Sequence, residues 1–456
     1  MLPSSQLLLR IAECKYFMEM QLGSFDFAEY IQQQLTLKQC LKIALDNDTP
    51  ARVYFAEALE KSARHALSIP NPYGLSVRFA MKANPLKGIL QRFNKLGIEI
   101  DASSQYEVSR AIAAGVPPDQ IQLTAQEWPR EDRILIDFHR QGVILNPCSL
   151  HQLHRFGKLF AGSNVGFRVN PGLGSGGTNR TNTGGPGSSF GIWHEALPEV
   201  IQIIQAHKLT LTRLHSHIGS GSDVSVWERC ADLTLDVAAR LVREIPAAKD
   251  TLKLVNLGGG YKIARMKDEK HTDLHAAFKV IEEKLIAFAA SVGPKLKLEI
   301  EPGTYLVAHA GILLCRVQDF SDTGAEGYKF LKLDAGMTEL LRPSLYGAQH
   351  PITLLPHDAR AVSHHEDYVV VGHCCESGDI FSPASGSPEE LATRSLPKAE
   401  IGDFVLIGGA GAYAEGFSVA GYNSFPTSAA LMVESSGEIV LLKGRGAADQ
   451  ALVGEV

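Results

Sequence analysis

Eight short β-rich apolar runs, each followed by a stretch with apolar residues at helical spacing, predict an α/β fold that begins with a (β/α)8 TIM-type barrel. Two further observations support it. The eight units span roughly 250 residues, the usual length of such a barrel. After about residue 312 the rhythm changes to strand-like pieces joined by Gly/Pro/Ser-rich turns, which predicts a second, mainly β C-terminal domain. A doubly wound sheet is the alternative topology.

Taken in order, residues 1–48 read as a helical lead-in that could pack on the β domain, 49–312 as the barrel and 313–456 as the β domain. The barrel strands are expected in LSVRFAMKAN, GIEIDASS, IQLTAQ, GVILNP, VGFRVN, LTRLHSHIG, LKLVNLGGG and LKLEIEPG. Between them, pieces such as QYEVSRAIAAG, WHEALPEVIQIIQAHK and DLHAAFKVIEEKLIAFAASVG have helical spacing and often end at Gly. PGLGSGGTNRTNTGGPGSSFGI reads as a long loop after the fifth strand, a length that tends to mean function or mobility. In the β domain, strands are expected in GILLCRVQDF, YKFLKLDAG, DYVVVGHCC, DFVLIGGAGAY and SAALMVES, with SPASGSPEELATRSLPKAEIG as a surface connection.

The chain has 456 residues, 45% hydrophobic and 21% charged, ordinary for a globular protein with two or three domains. Its 44 basic and 50 acidic residues are mixed along the chain, which argues against nucleic acid or an anionic membrane as partner. The apolar run in the opening MLPSSQLLLR is too short for a secretory segment, so neither a signal peptide nor a membrane span is expected. Seven scattered cysteines without a C-x-x-C pair argue against a disulfide framework or zinc site, and no metal is expected. They suit a reducing cytoplasm.

Chemistry in such a barrel is built where the strands finish. Here they finish on Lys82, Asp101, Arg168-Val169-Asn170, His215 and His217, Gly258-Gly259-Gly260, and Glu301. Each has an ordinary reading: a solvated lysine, a core histidine, a turn glycine, a capped carboxylate. Their convergence on one rim calls for a joint one. Glycines leaving a strand expose backbone N–H groups suited to a phosphate, and Ser220 adds a hydroxyl. A phosphate site, an amine able to form a Schiff base, an imidazole to stack on a ring and a carboxylate for a ring nitrogen together describe a site for pyridoxal 5'-phosphate. Lys82, His217 and Glu301 would fill the last three roles.

The runs FAMKANP, HSHIGSG, NLGGGY, EPGTYLV, RPSLYGAQHPI, GHCCESGD, and GAY with YNS, in that order from about residue 49, resemble the pyridoxal-phosphate-dependent decarboxylases of the alanine-racemase-like fold. That family acts on ornithine, lysine, arginine and diaminopimelate, and the resemblance is greatest to its diaminopimelate branch. It implies decarboxylation of meso-diaminopimelate to L-lysine by a homodimer with shared active sites. It also implies Lys82 as Schiff-base lysine, His217 stacked on the ring, Glu301 on the pyridine nitrogen, and Ser220, Gly258, Gly259, Gly260 and Tyr422 around the phosphate. Cys375 resembles the residue that protonates the reacting carbon from the other subunit, beside Glu376. Arg342, Tyr346, Glu376 and Tyr422 resemble substrate contacts, and Cys374 is expected only to pack.

Several positions depart from the family's pattern. Thr304 stands where an arginine usually follows EPG, Ser189 where a lysine usually precedes FGI, and FPTS follows YNS where another arginine is common. The alternative substrates are ornithine, lysine, arginine or a carboxylated polyamine. A racemase, a Schiff-base aldolase and a non-catalytic regulatory homologue remain as other classes.

Overall fold

The computed structural model describes residues 30, 35–175, 182–221, 223–447, 449 and 452–455. Most of the lead-in before residue 35 and positions 176–181 of the Gly-rich loop therefore lie outside the described residues. The chain divides into two compact units: a β unit of residues 1–61, 264–269 and 307–456, and a barrel unit of 62–263 and 270–306.

The β unit contains β1 (Ala51–Phe55), a fully buried strand from the segment read as the start of the barrel. It pairs parallel with Ala429–Val433 and antiparallel with Gly311–Leu314, so two distant segments recruit it into the β sheet. The helix Leu37–Asn47 precedes it, started by a capping box between Thr36 and Gln39. Cys40, Ile43 and Ala44 of that helix are buried in one core cluster with Ala51, Val53, Leu314 and Leu431.

The barrel unit holds nine parallel strands: β2 (Leu75–Ala80), β3 (Glu99–Ala102), β4 (Ile121–Leu123), β5 (Ile144–Leu145), β6 (Asn164–Asn170), β7 (Ile192–Trp193), β8 (Thr210–Ser216), β9 (Leu254–Asn256) and β10 (Lys297–Ile300). Their order is β5-β4-β3-β2-β10-β9-β8-β6-β7, all in parallel register. The Arg168 N–H donates to the Pro147 carbonyl (2.8 Å), which links β6 to the chain leaving β5 and closes the curl. All eight expected strands form. The ninth, β7, straddles the end of the segment read as a loop and the start of the one read as helical, because Ile192 and Trp193 pair with Val169 and Asn170 before the helix Leu197–Ala206 begins.

The rest of the β unit comprises β11 (Gly311–Asp322), β12 (Lys329–Leu333), β13 (Ile352–Leu355), β14 (His365–Val371), β15 (Pro383–Ala384), β16 (Ser387–Leu391), β17 (Arg394–Pro397), β18 (Phe404–Ile407), β19 (Ala429–Val433) and β20 (Ile439–Lys443). Its main sheet runs β17-β14-β12-β11-β1-β19-β20, with β18 also paired to β11 and β13 to β18. The segment read as a surface connection instead supplies β15, β16 and β17. Its Pro and Glu residues hide the alternation, and pairing of β17 with β14 forms the strand. Among the described residues no helix is long and apolar enough to cross a membrane.

Candidate active site

The interior of the barrel is charged, and that determines what its mouth can do. Arg78 on β2 and Arg213 on β8 both grip Glu299 on β10, Arg78 Nε donating to Oε2 at 2.7 Å. Burial alone would neutralise Glu299, but the two guanidinium groups outweigh it and hold the carboxyl below its ordinary range. Arg213 also donates to Oε1 of Gln122 on β4 (2.6 Å), so the Gln122 amide must point its NH2 the other way. That NH2 donates to Glu301 Oε1 (2.7 Å) and to Asp101 Oδ1 (3.2 Å). The Asn256 Nδ2 donates to both Glu299 (2.8 Å) and Glu301 (2.6 Å), while its Oδ1 accepts the Gly258 N–H (2.7 Å).

Glu301 therefore emerges at the mouth with its orientation set from below. Burial opposes its charge, but His215 and the Asn256 amide prevail, holding the carboxyl below the carboxylate range. Asp101 takes the opposite course: burial, then the Glu301 charge, push it well above its ordinary value. Of the two, Glu301 carries the charge. His215 Nε2 lies 3.3 Å from Glu301 Oε2, at an angle that leaves that nitrogen without a hydrogen bond among the described residues.

Lys82 follows β2 in the turn Met81–Ala83; the Ala80 N–H donates to the Pro302 carbonyl (3.2 Å), tying the exits of β2 and β10 together. Lys82 is exposed, and its amine has no hydrogen bond or ion pair among the described residues. His217, half-buried, accepts the Gly259 N–H at Nδ1 (3.0 Å). Burial first, then the Arg168 and Lys82 cations, push this imidazole well below its ordinary range, so it is neutral with its proton on Nε2.

The three glycines are required by space. A Cβ on Gly258 would run into the His217 ring, on Gly259 into the Glu301 carbonyl oxygen, and on Gly260 into the Gly219 carbonyl oxygen. Gly258 and Gly260 also have φ of +71° and +91°. The N–H groups of Gly258 and Gly259 are already bonded to Asn256 and His217, which differs from the expected trio of open donors. Among the described residues the Gly260 N–H and the Ser220 hydroxyl have no hydrogen-bond partner. This cradle, the free lysine, the neutral imidazole and the ionised carboxylate fit pyridoxal 5'-phosphate.

The other expected residues lie in the β unit. The carboxylate of Asp379 organises the loop after β14, accepting the N–H groups of Met337 (2.6 Å) and Cys374 (2.8 Å). Gly336 and Gly372 crowd it so closely that a Cβ on either would overlap it. Cys374 is buried, and burial followed by Asp379 pushes its thiol up to about 12. Cys375 is exposed; its N–H donates to Asn423 Oδ1 (2.9 Å), joining this loop to Tyr422 and the YNS turn. Glu376 is also exposed, its Oε1 accepting the Gly378 N–H (3.1 Å). Arg342 opens the short helix Arg342–Tyr346. Tyr346 stacks on Phe417 (6.2 Å), which meets Tyr413 edge-on (6.0 Å).

Gln122, Asn256 and Asp379 were not singled out in the sequence. The available signal was a polar residue inside a short strand of the barrel, Gln122 within IQL and Asn256 closing LVN.

Fold and site together define a pyridoxal-phosphate enzyme on a barrel with an added β unit. Residues 57–308 match the family described as pyridoxal-dependent decarboxylase, pyridoxal binding domain, and the chain belongs to that family. It is 32% identical over 428 residues to the diaminopimelate decarboxylase of Escherichia coli strain K12, covering 92% of this chain and 97% of that one. It is 32% identical over 386 residues to the Streptomyces coelicolor diaminopimelate decarboxylase, covering 83% and 84%. A crystal structure of diaminopimelate decarboxylase superposes with a TM-score of 0.82 at 31% identity, covering 92% of this chain and 96% of that one.

Proposed function

We propose that this chain is a diaminopimelate decarboxylase, removing one α-carboxylate from meso-diaminopimelate to leave L-lysine, with pyridoxal 5'-phosphate as cofactor. The observation that carries this reading is the pairing of Lys82 and Glu301. They leave neighbouring strands, one a free amine and the other a carboxylate held ionised from beneath. When bound, pyridoxal phosphate supplies the electron sink that lets the bond between Cα and its carboxylate break.

The chain's own residues do the rest. Lys82 is the amine that would hold the cofactor and that a substrate amine would displace. Glu301 would keep a proton on the ring nitrogen, and His217 would offer a neutral ring to the cofactor. Ser220, Tyr422 and the Gly258–Gly260 turn take the phosphate. Cys375 delivers a proton to the carbon that has lost carbon dioxide, from the partner subunit of a homodimer. Arg342 and Tyr346 hold the distal carboxylate, for which a guanidinium is the fitting donor, and Glu376 the distal ammonium. Tyr422 also lines the substrate site. A cytoplasmic location suits the scattered free thiols.

Thr304 in place of an arginine is what keeps decarboxylation of ornithine, lysine, arginine or a carboxylated polyamine as the second reading. Purified protein offered a panel of these acids, with carbon dioxide measured with and without pyridoxal phosphate, separates the two. Diaminopimelate is expected to be the preferred substrate, and preference for an acid without a distal carboxylate would refute it. Lys82→Ala is expected to lose both turnover and the visible absorbance of the lysine-bound cofactor. Borohydride trapping of the cofactor on a different lysine would refute that role.

A further inference from the structure

Two guanidinium groups in the β unit each present a buried terminal nitrogen without a hydrogen-bond partner among the described residues: Nη2 of Arg265 and Nη1 of Arg342. Arg265 is only 5% exposed, and its side chain is held in place from behind. Its Nε donates to the Gly409 carbonyl (3.0 Å), and a Cβ on Gly409 would lie 2.8 Å from its Cδ, so glycine is needed for it to pass. The next carbonyl along, of Gly408, accepts Nδ1 of the fully buried His350 (2.8 Å), placing ring and guanidinium on adjacent residues of one strand exit.

That bond puts the His350 proton on Nδ1, and burial, then Arg265 and Arg342, push the imidazole well below its ordinary range. The ring is neutral and its free Nε2 is an acceptor, so it offers an anion nothing. The two arginines are left with the charge. Burial and then the charge of Arg342 depress Arg265, as is expected of like charges enclosed together. The charge of Glu269 acts on both arginines, and its Oε2 accepts the backbone N–H of Arg265 (2.7 Å), but neither Arg265 Nη2 nor Arg342 Nη1 is hydrogen-bonded to it. Buried guanidinium nitrogens with open N–H donors are costly unless an acceptor reaches them.

We propose that Arg265 is the second half of a carboxylate clamp, and that with Arg342 it receives the terminal carboxylate of the substrate farthest from the reacting carbon. The inference rests on the diaminopimelate reading and deepens it. Thr304 stands where the family's pattern has an arginine, which would leave Arg342 to hold that carboxylate alone. Arg265 returns the missing charge from a different segment, 264–269, which belongs to the β unit with Arg342. Two planar forks match a carboxylate and reject a substrate that ends in an amine alone.

The test compares L-lysine with 1,5-diaminopentane, which share five carbons and two amines and differ by one carboxylate. Affinity is read from the absorbance change of the cofactor in the fully loaded enzyme. Arg265→Gln is expected to weaken L-lysine by roughly 10- to 100-fold and to leave 1,5-diaminopentane within about twofold. Equal loss for both ligands, or no loss for L-lysine, overturns the clamp. If Arg265→Gln does not hold the cofactor, Arg265→Lys decides, keeping the charge without the fork: L-lysine alone weakened supports the clamp, and unchanged L-lysine overturns it. Wild type that binds the two ligands alike overturns the diaminopimelate reading and the clamp with it. Wild type that prefers L-lysine while the variants do too, undiminished, overturns the clamp alone.

Discussion

Asn256 donates its side-chain amide to Glu301 at 2.6 Å, and the same nitrogen donates to Glu299 at 2.8 Å. One neutral side chain thus spans two buried carboxylates, and its oxygen anchors the Gly258 N–H as well. Asn256→Ala removes two charge-assisted hydrogen bonds and strips an acceptor from the glycine turn. The expected loss is about 2–4 kcal/mol of stability, together with slower decarboxylation. Urea unfolding and single-turnover rates measure the two effects, and a variant as stable as wild type would refute the bridging role.

The glycine turn separates two kinds of strain. Gly260 has φ +91° and no room for a Cβ against the Gly219 carbonyl, whereas Gly437 has φ +83° with nothing within 4 Å. Gly437→Ala is expected to cost about 1 kcal/mol, the backbone strain alone. Gly260→Ala is expected to cost about 3 kcal/mol or more and to weaken pyridoxal phosphate, because backbone must move. Similar costs at the two positions would show that crowding contributes little.

Cys374 and Cys375 are adjacent yet differently placed, one buried with its thiol pushed up to about 12, the other exposed. Cys375→Ala is expected to retain the cofactor and slow decarboxylation, whereas Cys374→Ala costs stability only. Mixing Cys375→Ala with Lys82→Ala subunits should restore roughly a quarter of wild-type activity, since half the dimers are mixed and each has one intact site. No recovery after verified subunit exchange argues that each site is built from one chain.

Acid sensitivity is expected to come in part from Asp403, fully buried and bonded to Arg360, His357 and the Glu400 N–H (2.8 Å). Burial would raise its pKa, but Arg360 and the other donors prevail and lower it to about 2. The unfolded chain then takes up the proton first as pH falls. The stabilisation, about 2 kcal/mol, is complete above about pH 4 and is lost as pH falls towards about 2. Asp403→Asn should be less stable at pH 7 and show a flatter dependence between those limits. Parallel curves for variant and wild type would exclude Asp403 as the source.

What the sequence determined by itself was whatever neighbouring residues encode. The alternation of β-rich runs with helical spacing specified the barrel, and the identity of strand-ending residues marked Lys82, His217, Gly258–Gly260 and Glu301, because a closed barrel brings every strand end to one rim. Tertiary structure decided what depends on contact between distant segments. ARVYF is a buried strand in any fold, but only pairing with Ala429–Val433 and Gly311–Leu314 assigns it to the β unit. Gln122 is an ordinary polar residue until Arg213 on one side and Glu301 on the other fix which way its amide points. Arg265 carries no motif at all. Its meaning arises only once Gly409 and Gly408 bring it beside His350, since a charge acquires a function from what surrounds it, and those surroundings are far away along the chain.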